Sequence, residues 1–131
     1  MPYEFRDFVT ASGSNAIDAW LSNQPVGVRE EFASLFKNLA QLPRHLWRPQ
    51  ECTQLKGKFK SRGLYEFKIR LKRRTFYRLG AFFGPQPQWI TLCEGWGHAE
   101  SAGAQQRAME RTLKRKALVE SGEARTVTHV Y

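Results

Sequence analysis

Residues 56–78 concentrate the side chains of this 131-residue chain that could hold a polyanion. This segment contains ten lysines and arginines and one acidic residue, Glu66, whereas five basic residues precede it against six acidic ones, and six follow it against five. The cations are Lys56, Lys58, Lys60, Arg62, Lys68, Arg70, Lys72, Arg73, Arg74 and Arg78. The formal net charge of +9 therefore belongs to one short segment. This concentration favours a binding site for nucleic acid, because basic residues that only keep a protein soluble are expected to be spread along the chain.

The chemistry that suits such a segment is cleavage of RNA, in which a 2′-hydroxyl attacks the neighbouring phosphodiester. The reaction needs a base for the hydroxyl proton, cations for the charge on the phosphate and an acid for the leaving oxygen, and it requires no metal ion or cofactor. Lysine and arginine fit the cationic role. A histidine, with an ordinary pKa of about 6.5, fits either proton transfer. His98 is the favoured candidate because it follows a predicted strand, and His45, in a predicted loop, is the alternative.

The secondary structure that must position these cations is predicted from side chains that alternate in polarity with a period of two residues. Apolar and charged side chains alternate over residues 65–71, which indicates a half-buried strand. Its apolar residues are Tyr65, Phe67, Ile69 and Leu71. Lys68, Arg70 and Lys72 share the other parity, so we expect their side chains to leave one face of the sheet.

A second strand over 75–83 should follow a turn at Arg73 and Arg74. Phe76, Arg78 and Phe82 share a parity on this strand, so an antiparallel pairing would place them beside the first set of cations. A face with cations and aromatic rings can hold phosphates and stack bases. The alternative is a solvated basic face with ordinary surface aromatics.

The remaining elements predict an α+β fold of one domain, residues 1–131. A strand at 3–9 precedes a helix capped by Ser14 and an amphipathic helix that Pro43 ends. Residues 43–57 are predicted as a loop. A strand at 89–96, apolar on both faces, completes a three-stranded antiparallel meander. A C-terminal helix over 101–119 follows, with Gly122 at its end, and residues 123–131 form a loose tail or an edge strand.

Composition excludes several other classes of protein. No apolar run is long enough to span a membrane, and the first residues do not resemble a signal peptide, so we expect a cytoplasmic protein. Cys52 and Cys93 are far apart and form no zinc-binding pattern with the three scattered histidines. They are predicted to be free thiols.

Three motifs are carried by the predicted strands. They are Leu64-Tyr65-Glu66-Phe67-Lys68-Ile69-Arg70, Phe76-Tyr77-Arg78-Leu79 and Trp89-Ile90-Thr91-Leu92-Cys93-Glu94-Gly95-Trp96. With Leu55-Lys56-Gly57 before them and Ala108 and Arg111 in the last helix, they resemble the core of the RelE/HigB toxin superfamily, especially its phage-derived HigB-like branch. The resemblance covers roughly residues 25–120.

This resemblance implies a RelE-like fold and the toxin of a type II toxin–antitoxin system, an endoribonuclease that cuts mRNA on the translating ribosome. Its expected partners are mRNA, the ribosome and a cognate antitoxin, often a helix-turn-helix protein. Lys68 and Arg70 match basic positions of the family, and Arg78 matches the arginine that contacts the scissile phosphate. His98 lies where some members use a histidine, although the Lys-Lys run of many relatives is replaced here by residues 97–100.

The predicted site therefore has two groups of residues. The catalytic candidates are Arg78, His98 and Lys68, and the RNA-binding candidates are Arg70, Lys72, Arg73, Arg74, Lys56, Lys58, Lys60 and Phe76. Two alternatives remain open: a non-catalytic RNA-binding regulator on the same fold, and a module whose basic face docks an acidic protein.

Overall fold

The secondary structure of the chain, in a computed structural model, is described for residues 2–72, 75–97 and 101–131. The strands are β1 (Glu4–Phe8), β2 (Cys52–Gln54), β3 (Tyr65–Leu71), β4 (Thr75–Phe83), β5 (Trp89–Gly97) and β6 (Thr126–Thr128). The α-helices are α1 (Ala16–Ser22), α2 (Val28–Ala40) and α3 (Ala102–Glu120), and short 3-10 helices cover Arg44–Leu46 and Gly57–Phe59. The predicted α+β class is confirmed.

The sheet is larger than the predicted three-stranded meander. Within the described residues, six strands pair in the order β2-β3-β4-β5-β1-β6. Strands β3, β4 and β5 are antiparallel neighbours, whereas β1 runs parallel to β5 and makes the sheet mixed. The two edge strands, β2 and β6, have three residues each, which is too short for a period of two to be visible in the sequence.

Helices α1 and α2 pack on one side of the sheet, which we call the α2 face. The apolar positions of α2 recur every three or four residues, as predicted, and its buried side chains include Phe32 and Phe36. The ring centroid of Phe36 lies 4.1 Å from that of Phe5 on β1 and 5.5 Å from that of Phe67 on β3. The largest apolar cluster of the molecule therefore joins α2 to both halves of the sheet.

Helix α3 packs on the opposite side, which we call the α3 face. Its Thr112 lies against Gly80 of β4 so closely that a Cβ atom at position 80 would be 2.4 Å from the Thr112 hydroxyl. On β5, Glu94 forms ion pairs with Arg111 and Arg115 of α3. Close backbone approach and these ion pairs together fix where the helix crosses the sheet.

A β-bulge on β5 contributes to the same contact. Gly80 pairs with Glu94 and Ala81 with Leu92, so Cys93 has no partner on β4. The carbonyl of Cys93 instead accepts a hydrogen bond of 2.7 Å from the Arg115 guanidinium. The irregularity that a bulge introduces thus provides an attachment point for α3.

Two predictions about element ends differ in their outcome. Ser14 is not the N-cap of α1, because the side chain of Asn15 accepts hydrogen bonds from the Ile17 and Asp18 amides. Gly122 follows the end of α3 with φ of 82°, as predicted for a residue in the left-handed region.

None of the described helices is long and apolar enough to cross a bilayer.

Residues 123–131 take the second of their two predicted forms, an edge strand. Strand β6 pairs antiparallel with β1, and the buried His129 follows it. Nδ1 of His129 lies 2.8 Å from Oδ1 of Asp7, whose other oxygen accepts a hydrogen bond of 2.9 Å from Asn15. The C-terminal segment is therefore attached to the cap of α1 through one buried carboxylate.

We expect His129→Ala to destabilise the fold by at least about 1–3 kcal/mol, because it leaves the buried Asp7 carboxylate without its histidine partner. Val130→Ala is the matched control, since Val130 is 78% exposed and should change stability by less than about 0.5 kcal/mol. Chemical denaturation of both variants measures the difference. Equal free energies of unfolding would show that the Asp7–His129 contact contributes nothing.

Candidate nucleic-acid interface

The basic side chains of β3 and β4 lie side by side on the α3 face, beyond the point where α3 crosses. Lys68 is directly opposite Arg78, and Arg70 is directly opposite Phe76. This confirms the shared face that the period of two predicted for these residues. We call Lys68, Arg70, Phe76 and Arg78 the open face.

Phe76 provides the aromatic surface of the open face. The Lys68 ammonium lies 5.0 Å from the centroid of its ring, and the Arg78 guanidinium carbon lies 5.9 Å from it. Both cations are within the range of cation–π attraction. A ring flanked by cations can stack a base while the cations hold the adjoining phosphates.

Glu66 extends the open face along β3, since it shares the parity of Lys68. Its Oε2 atom forms an ion pair of 2.8 Å with Nε of Arg78 but has no hydrogen-bond partner among the described residues, and the two side chains are only 19% and 21% exposed. Opposite Glu66 on β4 is Gly80, against which Thr112 of α3 packs. Glu66 is thus the half-buried partner of the arginine that was predicted to contact the phosphate.

The protonation of Glu66 is set by two opposing effects. Burial raises the pKa of its carboxyl above the ordinary value, and the charges of Arg78 and then Lys68 oppose that rise without cancelling it. A carboxylate with a raised pKa is a better proton acceptor near neutral pH than an exposed one. From the sequence, only cations and histidines were candidates for the site, although Glu66 stood out as the one acidic residue in segment 56–78.

The arrangement leaves part of the Arg78 guanidinium available to a phosphate. Nε of Arg78 forms the ion pair with Glu66, and the other guanidinium nitrogens can donate two parallel hydrogen bonds to a phosphate. Lys68 brings a second positive charge to the same place. A phosphate held there lies beside a proton acceptor, which is two of the three requirements for cleavage by a 2′-hydroxyl.

Two predicted members of this face are not part of it. Lys72 lies beyond the end of β3 with φ of 61°, so the chain has left the strand and its side chain does not share the parity of Lys68. Phe82 is fully buried against Val119 of α3, because the helix covers that end of β4. Phe82 therefore cannot stack a base.

The other predicted cations lie elsewhere or outside the described residues. Lys56, Lys58 and Lys60 belong to a segment that we call the basic loop (residues 56–63), which precedes β3. Lys58 forms an ion pair of 2.9 Å with Glu110 of α3. Arg73, Arg74 and His98 fall outside the residues that the structure describes, so their predicted roles stay predictions.

The alternative histidine, His45, lies with the elements of the α2 face. The neighbouring Arg44 guanidinium is 3.7 Å from the ring centroid of Phe83, which points to that face. Trp47, two residues on, donates hydrogen bonds to the carbonyls of Leu39 and Leu42, at the end of α2 and just beyond it. The fold does not bring His45 to Arg78.

The described residues contain no group of three histidine, cysteine, aspartate or glutamate side chains placed to hold a metal ion. Both cysteines are free thiols, as predicted. Burial raises the pKa of Cys52 to about 12 and also raises the pKa of Cys93. Neither thiol is thus a nucleophile at neutral pH.

Comparison of the chain with protein-family models, with curated proteins and with solved structures found no match. The resemblance to the RelE/HigB superfamily rests on the sequence motifs alone. The structural support for a function of this chain therefore comes from the open face and from Glu66.

We expect the pKa of Glu66, followed by carboxyl NMR through an acid titration, to lie above that of an exposed glutamate. Arg78→Gln should raise it further, because the substitution removes the positive charge that favours the carboxylate. Arg70→Gln should change it little, since Arg70 faces Phe76 across the strands. A pKa at or below the ordinary value in the unsubstituted protein would contradict the burial argument.

The sign of the linked stability follows from the same direction. Because the folded state raises the pKa of Glu66, the folded protein binds this proton more tightly than the unfolded chain does. The resulting contribution to stability is fully present below the unfolded pKa and is lost as the pH rises through the folded pKa. Glu66 thus disfavours folding at neutral pH.

Proposed function

We propose that this protein is an endoribonuclease that cuts RNA through attack of a 2′-hydroxyl on the adjacent phosphate. The observation that carries the proposal is the half-buried Glu66–Arg78 pair, which lies beside Lys68 and Phe76 on the open face. A proton acceptor, two phosphate-binding cations and a stacking ring are thereby within one small area.

The reaction divides among these groups as follows. Glu66 takes the proton of the 2′-hydroxyl, whose oxygen forms a bond to phosphorus while the bond from phosphorus to the 5′-oxygen breaks. Arg78 and Lys68 hold the charge that gathers on the phosphate oxygens. The products are a 2′,3′-cyclic phosphate and a 5′-hydroxyl, which needs a proton from an acid. His98 is the candidate acid on sequence grounds.

The biological role we propose comes from the sequence motifs. The protein acts in the cytoplasm as the toxin of a type II toxin–antitoxin system, cuts mRNA on the translating ribosome and is neutralised by a cognate antitoxin with a helix-turn-helix. In this proposal β3, β4, β5 and α3 form the RelE-like part of the fold, and β2 and β6 extend its sheet.

A second candidate function is RNA binding without cleavage. The ion pair between Glu66 and Nε of Arg78 favours this function, because it can orient the guanidinium for a phosphate without any proton transfer by Glu66. The two functions differ in what happens when the carboxylate becomes an amide: an amide oxygen can still lie against Nε of Arg78, whereas an amide cannot accept the proton of the 2′-hydroxyl.

We expect Glu66→Gln to lower the single-turnover cleavage rate of a single-stranded RNA at least about 100-fold without weakening RNA binding, because general base catalysis typically contributes that much. Arg78→Ala should lower the rate about 100–1,000-fold. Glu120→Gln is the matched control, since that carboxylate pairs with Lys116 on α3. Full activity of Glu66→Gln would overturn the proton-acceptor role, and measurable RNA binding with no cleavage by the unsubstituted protein would favour the regulator.

Expression of the unsubstituted chain alone in bacteria should arrest growth and deplete full-length mRNA. Arg78→Ala, expressed to the same soluble level, should allow normal growth, because alanine cannot hold the phosphate. Growth rate and northern analysis of a reporter mRNA measure the effect. Normal growth with abundant soluble protein would refute the toxin role.

A further inference from the structure

The basic loop is a second group of cations that lies apart from the open face. It joins β3 at Tyr65, whereas Lys68 is three residues further along that strand, about 10 Å away at the usual rise of a strand. Its exposed cations are Lys56, Lys58, Lys60 and Arg62. None of these side chains is opposite or next to Arg78 in the strand pairing, so they form a second group of cations with its own position on the surface.

The loop is held in place along α3. Phe59 is 3% exposed and packs with Leu55 and Leu64 in a small apolar cluster, which Met109 and Leu113 of α3 complete. One buried aromatic anchor thus keeps the surrounding charges at a defined position on the surface.

Ionic and close contacts extend the attachment along the helix. Lys58 pairs with Glu110 at 2.9 Å, and a Cβ atom at Gly63 would lie 3.5 Å from the Lys116 side chain. The loop therefore follows α3 from the turn of Glu110 to the turn of Lys116, which is about 9 Å at the rise of an α-helix.

The helix adds cations of its own to this surface. Arg107 and Lys114 are exposed and lie three residues before and four residues after Glu110, which are the spacings that bring helical side chains together. We call the basic loop together with Arg107 and Lys114 the basic ridge. Glu110 is the carboxylate between its two halves.

We propose that the basic ridge binds the sugar–phosphate backbone of double-helical RNA without contacting its bases. Sites for single strands combine cations with stacking rings, but the one aromatic side chain of the loop, Phe59, is buried and α3 contains no aromatic residue. Cations without rings suit a duplex, whose bases are already stacked and whose phosphates face outwards. The choice of RNA over DNA rests on the proposed function of the open face.

Glu110 lowers the affinity of the basic ridge for phosphate. Its carboxylate occupies the Lys58 ammonium and carries the opposite charge to the cations around it. The Glu110 carboxylate competes with an RNA phosphate for Lys58 and repels it electrostatically, so the ion pair lowers the affinity of the ridge. Removing the charge while keeping the shape should strengthen binding.

The test uses an RNA duplex of about 16 base pairs, the length that a double-stranded RNA-binding module covers. Binding is measured by fluorescence anisotropy at several salt concentrations, in protein that also carries Arg78→Ala to remove cleavage. The triple substitution Lys60→Ala, Arg62→Ala and Lys114→Ala should weaken binding and lower the salt slope by about one unit for each phosphate that the variant no longer neutralises. Unchanged affinity and slope would overturn the proposal.

Glu110→Gln should raise the duplex affinity roughly two- to fivefold, as expected for release of an exposed ion pair. Glu31→Gln is the matched control, because it removes the same charge from an exposed position of α2, on the opposite side of the sheet from the ridge. Equal gains for both variants would show that only net charge matters and would overturn the role of the ridge. Equal affinity for a DNA duplex would overturn the assignment to RNA.

These outcomes are independent of catalysis. If the unsubstituted protein cuts no RNA but the ridge variants behave as expected, the endoribonuclease proposal fails and the binding surface stands. If cleavage is confirmed but the triple substitution binds the duplex normally, the endoribonuclease proposal stands and the proposed duplex-binding role of the ridge fails.

Discussion

The docking of α3 at Gly80 determines which part of the sheet is available to a ligand. Thr112 occupies the space where any side chain at position 80 would lie, and Glu94 binds two arginines one turn apart on the helix. On the same face of β4, Phe82 lies under α3 and is buried, whereas Arg78 lies on the other side of Gly80 and is partly exposed. The boundary of the candidate site is thus set by a helix-packing contact.

The same glycine influences the electrostatics of the site. Glu66 is opposite Gly80, where Thr112 of α3 packs, and its carboxylate lies beside Arg78 in a partly buried position. Burial favours the protonated acid more strongly than Arg78 favours the carboxylate, so the pKa of Glu66 is raised above its ordinary value.

The sequence predicted well what depends on local periodicity and poorly what depends on distant contacts. The alternation in residues 65–71 and the helical spacing in residues 28–40 identified β3 and α2, with the open face on the correct side of the strand. The burial of Phe82 could not be foreseen, because it depends on where a helix some 30 residues later crosses the sheet. The side of the sheet on which His45 lies depends likewise on how Trp47 packs below α2. Glu66 was visible as an exception in a basic segment, but its burial beside Arg78 depends on strand register.

A basic face that serves only solubility and a basic face that does chemistry differ in what surrounds the charges. Cations that keep a protein soluble gain from full hydration and have no need of a desolvated acid among them. The open face instead holds a carboxylate that is about four-fifths buried and whose raised pKa disfavours folding at neutral pH. Perturbed acids of this kind concentrate at functional sites, because a partly buried carboxylate beside a fixed cation is suited to proton transfer. The basic ridge has no buried acid of this kind and presents no ring, which is the composition expected of a surface that only binds phosphates. The two cationic surfaces therefore differ in whether a partly buried acid lies among the cations, and the two different functions that we propose for them rest on that difference.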